Sequence, residues 1–181
     1  TAQLASSSAV GLVATQLDGD AIYWLEMRPT ERGRNVVVRL RPDGTAEDVT
    51  PAGFNVRTRV HEYGGGDFAV AGSVVYFANM AGQRLYRQPV GGAPEPLTPE
   101  GAGLRYADFE VDGTRNRLIC IREDHSGAGE AVNTIVAIDL VRGGPGEILA
   151  SGYDFYSTAR LDPSGQRLAW LSWRHPNMPW D

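Results

Sequence analysis

The stretch from Arg59 to Gly66 places a histidine beside a glutamate, just before a tyrosine and three consecutive glycines. An imidazole next to a carboxylate can transfer protons or hold a polar ligand. We interpret this stretch as an inner strand on which His61, Glu62 and Tyr63 face a central channel and can meet a substrate. The structural alternative is a first strand whose glycines permit crowding near an axis, with His61 and Glu62 satisfying each other.

Two further stretches carry arginines that could line the same channel or contact substrate. Arg28 begins a charged loop, residues 28–34, between two expected strands. Loops held by a rigid scaffold commonly carry binding residues. A solvated hairpin tip explains that loop almost as well. Arg174 follows a tryptophan-rich strand. Its tryptophans could stack on a ligand, although packing between sheets is the more ordinary use of large aromatic side chains.

The sequence contains no motif typical of a catalytic nucleophile, a metal site or a cofactor site. No serine occurs in Gly-x-Ser-x-Gly, so the nucleophile elbow of α/β-hydrolases is absent. Asp124, His125 and Ser126 are the right residue types for a triad, but adjacent positions do not create triad geometry. The three histidines lack paired-ligand spacing, and there is no glycine-rich phosphate loop. We therefore predict no catalytic residue, metal or cofactor in this chain.

The elements that must position these residues are short strands in a repeated unit, of which residues 105–150 hold one whole copy. Strands that are apolar on both sides need cover on both faces, and glycines punctuate the connections between them. A small four-stranded sheet that must be sandwiched between neighbours is typical of a propeller blade. The strands of this copy are the alternating run 107–111, the apolar runs 118–121 and 135–138, and the closing run 147–150.

A turn followed by an apolar strand recurs along the chain at intervals of roughly 40–50 residues, the period of propeller blades. The prediction is an all-β fold, a partial β-propeller with three complete four-stranded blades and half of a fourth. We place the blades at about residues 11–53, 58–99, 105–151 and 156–181, within a single incomplete propeller domain, residues 1–181. Because propellers usually have 4–8 blades, we expect a longer protein or a completing partner. The uncovered flank should make an isolated fragment self-associate.

Composition excludes several other classes of protein. The 181 residues are 42% hydrophobic, and the net charge of −5 is mild and mixed in sign, which argues against a nucleic-acid surface. The longest apolar runs fall far short of the ~20 residues that span a bilayer, so we expect no membrane partner. Cys120 is the single cysteine, which precludes an internal disulfide and suits a reducing cytoplasm.

Several stretches together resemble the N-terminal half of a propeller in the prolyl oligopeptidase family. The similarity is to the bacterial branch of dipeptidyl aminopeptidases and acylaminoacyl peptidases. Family members join the propeller to a C-terminal α/β-hydrolase domain that carries a Ser-Asp-His triad. That domain and the second half of the propeller are missing here, so the resemblance implies no catalytic residue in this chain. The stretches are 28–34, 59–66, 83–86, 105–108 and 170–181, with 175–181 the most specific.

The resemblance implies a cytoplasmic serine peptidase that hydrolyses short peptides, with the propeller restricting access to the catalytic cavity. Under that hypothesis the chain is a non-catalytic gating segment that is inactive alone. Its partners are then peptide substrates and its own C-terminal hydrolase domain. The alternative from another class is a stand-alone propeller that acts as a protein-interaction or ligand-binding module.

Overall fold

The computed structural model describes residues 9–181, and the strands in this range form four antiparallel sheets. The first sheet contains β1 (Gly11–Asp18), β2 (Ala21–Arg28), β3 (Arg34–Leu40) and β4 (Ala46–Asp48). The second contains β5 (Phe68–Ala71), β6 (Val74–Ala78), β7 (Leu85–Pro89) and β8 (Glu95–Pro96). The third contains β9 (Leu104–Asp112), β10 (Arg117–Asp124), β11 (Val132–Asp139) and β12 (Glu147–Ala150). The last contains β13 (Phe155–Leu161) and β14 (Leu168–Trp173).

Each sheet is a simple meander in which sequence neighbours pair, so the first strand of every sheet lies at one edge. Those first strands contact one another in order: β1 lies against β5, β5 against β9, and β9 against β13. Sheets stacked side by side with their first strands innermost are the blades of a propeller. The predicted fold class is confirmed, with three complete four-stranded blades and half of a fourth. No helix in residues 9–181 has the length and apolar character needed to cross a membrane.

A separate apolar core fills each space between neighbouring blades, as the unbroken apolar runs require. Between the first two blades, Tyr23 and Leu25 pack with Phe77. The second and third blades bury a cluster that includes Leu85 and Leu118. Between the third blade and the half blade lie Val60, Ala107, Ile119, Ile121, Ile135, Tyr156 and Ala159.

Polar side chains tie the innermost strands together across the blades. The Gln16 amide on β1 donates to the Phe68 carbonyl (2.8 Å) and accepts the Val70 N–H (3.0 Å) on β5. The Asp108 carboxylate on β9 accepts the Thr158 N–H on β13. Asp108 has a positive φ of 57° at a bulge in β9, which aims its side chain at the next blade. These links satisfy backbone groups that each inner strand would otherwise leave open on its free edge.

Strand direction decides which connections share a face of the propeller. Because neighbouring strands are antiparallel, the links after every second and every fourth strand of a blade leave from the same face. We call this face the rim. In the described chain the rim comprises residues 29–33, 49–67, 79–84, 97–103, 125–131, 151–154 and 174–181.

The prediction of a strand at residues 59–66 is wrong, because residues 59–67 form a turn and a connection on the rim before β5. His61 and Glu62 both adopt left-handed backbone conformations, with φ of 54° and 60°, and two such residues in succession turn the chain instead of extending it. The expected crowding at the glycines does occur, but in this turn. A Cβ on Gly66 would lie 2.7 Å from the backbone nitrogen of Asp108 in the next blade.

Candidate functional site

Segments of the rim from neighbouring blades enclose an open pocket of about 780 Å³, which we call the rim pocket. The turn before β5 forms one side, and the β10–β11 loop forms another. The connection before β13 and the chain leaving β14 complete it. The lining residues are His61, Glu62, Glu123, His125, Gly129, Glu130, Ala131, Val132, Asn133, Gly152, Tyr153, Asp154, Phe155 and His175.

Glu123, near the end of β10, is the residue around which the rim pocket is organised. The residue is only 4% exposed, and its carboxylate accepts the backbone N–H of His61 at 2.6 Å. The same carboxylate lies 3.0 Å from His125 Nε2 and 3.8 Å from the Arg105 guanidinium. One buried acidic group therefore links the turn before β5, the start of the β10–β11 loop and Arg105 on β9. Sequence reasoning missed Glu123, although a carboxylate two positions after the apolar run 118–121 was a usable signal.

His61 turns its imidazole toward the half blade. Its ring meets Phe155 edge-on at 5.5 Å between centroids and Trp173 at 5.8 Å. Burial lowers the pKa of His61, against the opposing pull of the nearby Glu123 and Asp108 carboxylates. Its Nε2 is buried with no hydrogen-bond partner among residues 9–181. Desolvation therefore favours the uncharged form of this imidazole.

Glu62 points away from His61, so the expected His61–Glu62 pair does not form. The Glu62 carboxylate accepts from Arg105 at 2.6 Å and from Arg59 at 3.1 Å. These two guanidinium groups hold the pKa of Glu62 below its usual range. The left-handed turn directs consecutive side chains to different sides, which explains why adjacent residues in sequence serve different partners.

Aromatic side chains form the adjoining wall, in contact with the His61 ring. Phe155 stacks on Trp173 with centroids 5.4 Å apart and planes inclined by 20°, and the His175 ring meets Phe155 edge-on at 4.8 Å. Outside this wall, the Arg174 guanidinium lies 4.2 Å above the centre of the Tyr153 ring and donates to the Gly152 carbonyl at 2.7 Å. Arg174 therefore supports the wall rather than lining the pocket.

The remaining predicted site residues lie elsewhere. Tyr63 is 90% exposed and is not among the lining residues of the rim pocket. Arg28 lies on the first blade, where its guanidinium binds Asp48 at 2.6 Å and Glu26 at 2.8 Å. Its predicted loop between β2 and β3 does lie on the rim. The role of these side chains toward substrate stays a prediction.

The Asp124-His125-Ser126 sequence does not form a proton relay. The Ser126 hydroxyl donates to Asp124 at 2.5 Å, while His125 faces Glu123 instead. Across residues 9–181, no group of three or more His, Cys, Asp or Glu side chains could hold a metal ion.

Known structures resemble the whole described chain. A puromycin hydrolase matches at 34% identity with a TM-score of 0.88, over 99% of this chain and 30% of its own. A Mycobacterium tuberculosis puromycin-hydrolyzing peptidase matches at 36% identity with a TM-score of 0.87, over 97% of this chain and 29% of its own. The chain belongs to the prolyl oligopeptidase family. It corresponds to the N-terminal propeller portion and spans less than a third of the length of these family members.

One further structure resembles this chain in its fold alone. A chain of a nidogen/laminin complex matches at 14% identity with a TM-score of 0.58, over 92% of this chain and 57% of its own. No protein-family model and no curated protein matches the chain. The prolyl oligopeptidase family assignment therefore rests on structures that share both backbone and a third of the aligned residues.

Proposed function

We propose that this chain is the non-catalytic propeller segment that gates substrate access in a serine peptidase acting on short peptides. The observation that carries the proposal is the match to two puromycin-cleaving enzymes at 34% and 36% identity over nearly the whole chain. Cleavage would be of the aminopeptidase or acylaminoacyl peptidase type. The catalytic serine would come from a C-terminal hydrolase domain, which is the chain's principal partner.

The rim pocket supports gating by its size and its walls. A pocket of about 780 Å³ is in the ordinary range of about 300–1,000 Å³ for small-ligand sites, which suits one or two residues of a peptide. Its walls come from three blades and are tied by Glu123 and by the Phe155–Trp173 stack. A rim built this way would admit short peptides and exclude folded proteins.

The test compares the chain with the longer protein that contains it. We expect the longer protein to hydrolyse puromycin or aminoacyl nitroanilides and to lose that activity after treatment with a serine-directed inhibitor. The purified 181-residue chain should show no turnover on the same substrates. A longer reading frame without a Gly-x-Ser-x-Gly elbow would remove the peptidase assignment and favour a stand-alone binding propeller.

We also propose that the isolated chain self-associates. Large apolar side chains are exposed on both terminal blades, with Leu17 of β1 73% exposed and Leu171 of β14 52% exposed. Exposed apolar patches on monomers normally mark interfaces. Light scattering at micromolar concentration should report a mass above that of the monomer, and a clean monomer would contradict this.

A cytoplasmic location is part of the same proposal. Cys120 is the single cysteine, so this chain forms no internal disulfide, which suits a reducing compartment. Fractionation of cells that express the longer protein should recover it with cytoplasmic markers. Recovery with secreted proteins would contradict that location.

A further inference from the structure

The first blade exposes an apolar face on the side away from the second blade. Along β2, Tyr23 and Leu25 pack toward the second blade, so the alternating residues Ile22 and Trp24 face the other way. Leu17 on β1 is paired with Ile22 and shares its face, and these two residues are 73% and 40% exposed. We call the face of Leu17, Ile22 and Trp24 the first flank. Its exposure shows that no other part of residues 9–181 covers it.

The half blade exposes a second face on the side away from the third blade. Tyr156 and Ala159 of β13 pack toward the third blade, so Ser157 faces the other way. Leu171 on β14 is paired with Ser157 and is 52% exposed. Ala169, two positions earlier on β14, is also exposed. We call the face of Ser157, Ala169 and Leu171 the half-blade flank.

A residue with unusual backbone geometry on β13 is a separate indication that a strand belongs beside the half blade. In β9, Asp108 has a φ of 57° at a bulge and accepts the Thr158 N–H of the next blade. Thr158 itself has a φ of 55° at a bulge in β13, although a β-branched residue rarely adopts left-handed backbone. Apart from Ser157 at 3.4 Å, its exposed hydroxyl has no hydrogen-bond partner in residues 9–181. The half blade therefore repeats the device that joins β9 to β13, without a strand in the described chain to receive it.

The two flanks are the two sides of one kind of interface, which the chain already uses between its own blades. A second copy placed after the half blade would set its first flank against the half-blade flank and continue the order of blades. Its β1 would lie against β13 as β5 lies against β1 and β9 against β5. Two copies supply eight sheets, the upper end of the 4–8 blades that closed propellers contain. Because head-to-tail contacts form a ring when the rotation closes, the second copy's half blade would then meet the first flank of the first copy.

We infer that the 181-residue chain assembles as a closed head-to-tail dimer, in which each half-blade flank packs on the first flank of the other copy. This inference rests on the proposed self-association and is independent of the peptidase proposal. Each copy buries both of its flanks, so assembly ends at two chains. A dimer that joined two like flanks would instead leave the other flank of each chain open. The tests use the 181-residue chain, because additional blades of a longer protein would compete for both flanks.

The first test is the mass of the assembly. Sedimentation velocity at micromolar concentrations should show one species with twice the 19.6 kDa mass of the chain. A monomer at every concentration would overturn both this inference and the proposed self-association. Larger species that grow with concentration would overturn the closed dimer and leave self-association standing.

Single substitutions test whether both flanks take part. Leu17→Glu and Leu171→Glu each place a carboxylate in one flank, and each should raise the dissociation constant of the dimer at least about tenfold. Both residues are exposed in the single chain, so far-UV circular dichroism of the dissociated variants should match that of the native chain. The matched control is Val141→Glu, 72% exposed on the link between β11 and β12, which should leave the dissociation constant unchanged. Weakening by only one of the two flank variants would indicate pairing of like flanks and overturn the inference.

Mixing the two flank variants tests the head-to-tail contact itself. A Leu17→Glu chain keeps its half-blade flank, and a Leu171→Glu chain keeps its first flank. A mixed pair therefore contains one interface between two native flanks, whereas either variant alone contains none. The mixed pair should associate at least about tenfold more tightly than either variant alone. No such recovery would overturn the head-to-tail arrangement, even if the native chain has the mass of a dimer.

Discussion

Replacement of Glu123 by alanine tests whether one buried carboxylate organises the rim pocket. The variant would leave the His61 N–H without its 2.6 Å acceptor and would remove the carboxylate that faces His125 and Arg105. Hydrogen bonds to charged groups contribute about 1.5–3 kcal/mol each, and an orphaned buried donor adds to the loss. Because Arg105 keeps Glu62 as a partner, we expect a total loss of about 2–4 kcal/mol in the free energy of unfolding.

The assay is urea denaturation followed by tryptophan fluorescence. Trp173 lies 5.8 Å from the His61 ring, so its emission should also report displacement of the turn in the folded variant. Glu130→Ala, an exposed carboxylate on the adjoining loop, is the matched control and should change stability by less than about 0.5 kcal/mol. If Glu123→Ala behaves like that control, the carboxylate does not hold the turn and our account of the pocket is refuted.

Three further perturbations follow from the geometry. Gly66→Ala should lower the free energy of unfolding, measured by urea denaturation, by at least about 2 kcal/mol more than Gly72→Ala. Both glycines have positive φ, but only at Gly66 would a Cβ lie 2.7 Å from Asp108. Equal losses in the two variants would contradict the close approach. Asp108→Ala, which removes the acceptor of the Thr158 N–H, should lower the free energy of unfolding by about 1–3 kcal/mol, and an unchanged urea midpoint would show that the blades need no such link. Burial lowers the pKa of His61, so on acidification the imidazole of the unfolded chain is protonated before that of the folded chain. The free energy of unfolding should therefore fall as the pH drops below about 6.5. His61→Gln should flatten this pH dependence, and an unaltered profile in the variant would contradict the prediction.

The blade architecture could be predicted from sequence because its causes are local. Alternating or unbroken apolar runs set the strands, and turn residues such as Asp112 and Gly113 set their ends. The repeat then fixes how the sheets must stack. Each step uses residues that lie within a few positions of one another.

The turn at residues 59–67 could not be predicted in the same way because distant residues hold it. Glu123 accepts the His61 N–H, and the Gln83 side chain accepts the Arg59 N–H at 2.7 Å. Those bonds stabilise left-handed backbone at His61, where local preference alone disfavours it. The same distance explains why sequence reasoning paired His61 with its neighbour in the chain rather than with Glu123, which lies on another blade.

The rim pocket and the packing between blades depend on each other. The turn carries His61 on its pocket side, while Val60 beside it is buried in the apolar core between the third blade and the half blade. The adjoining wall begins at Phe155, whose neighbour Tyr156 is buried in that same core. Core packing therefore positions both of these walls. Substitution of an exposed lining residue such as Glu130 can change ligand affinity at little cost to folding, whereas a change at Val60 or Tyr156 should alter stability and ligand affinity together.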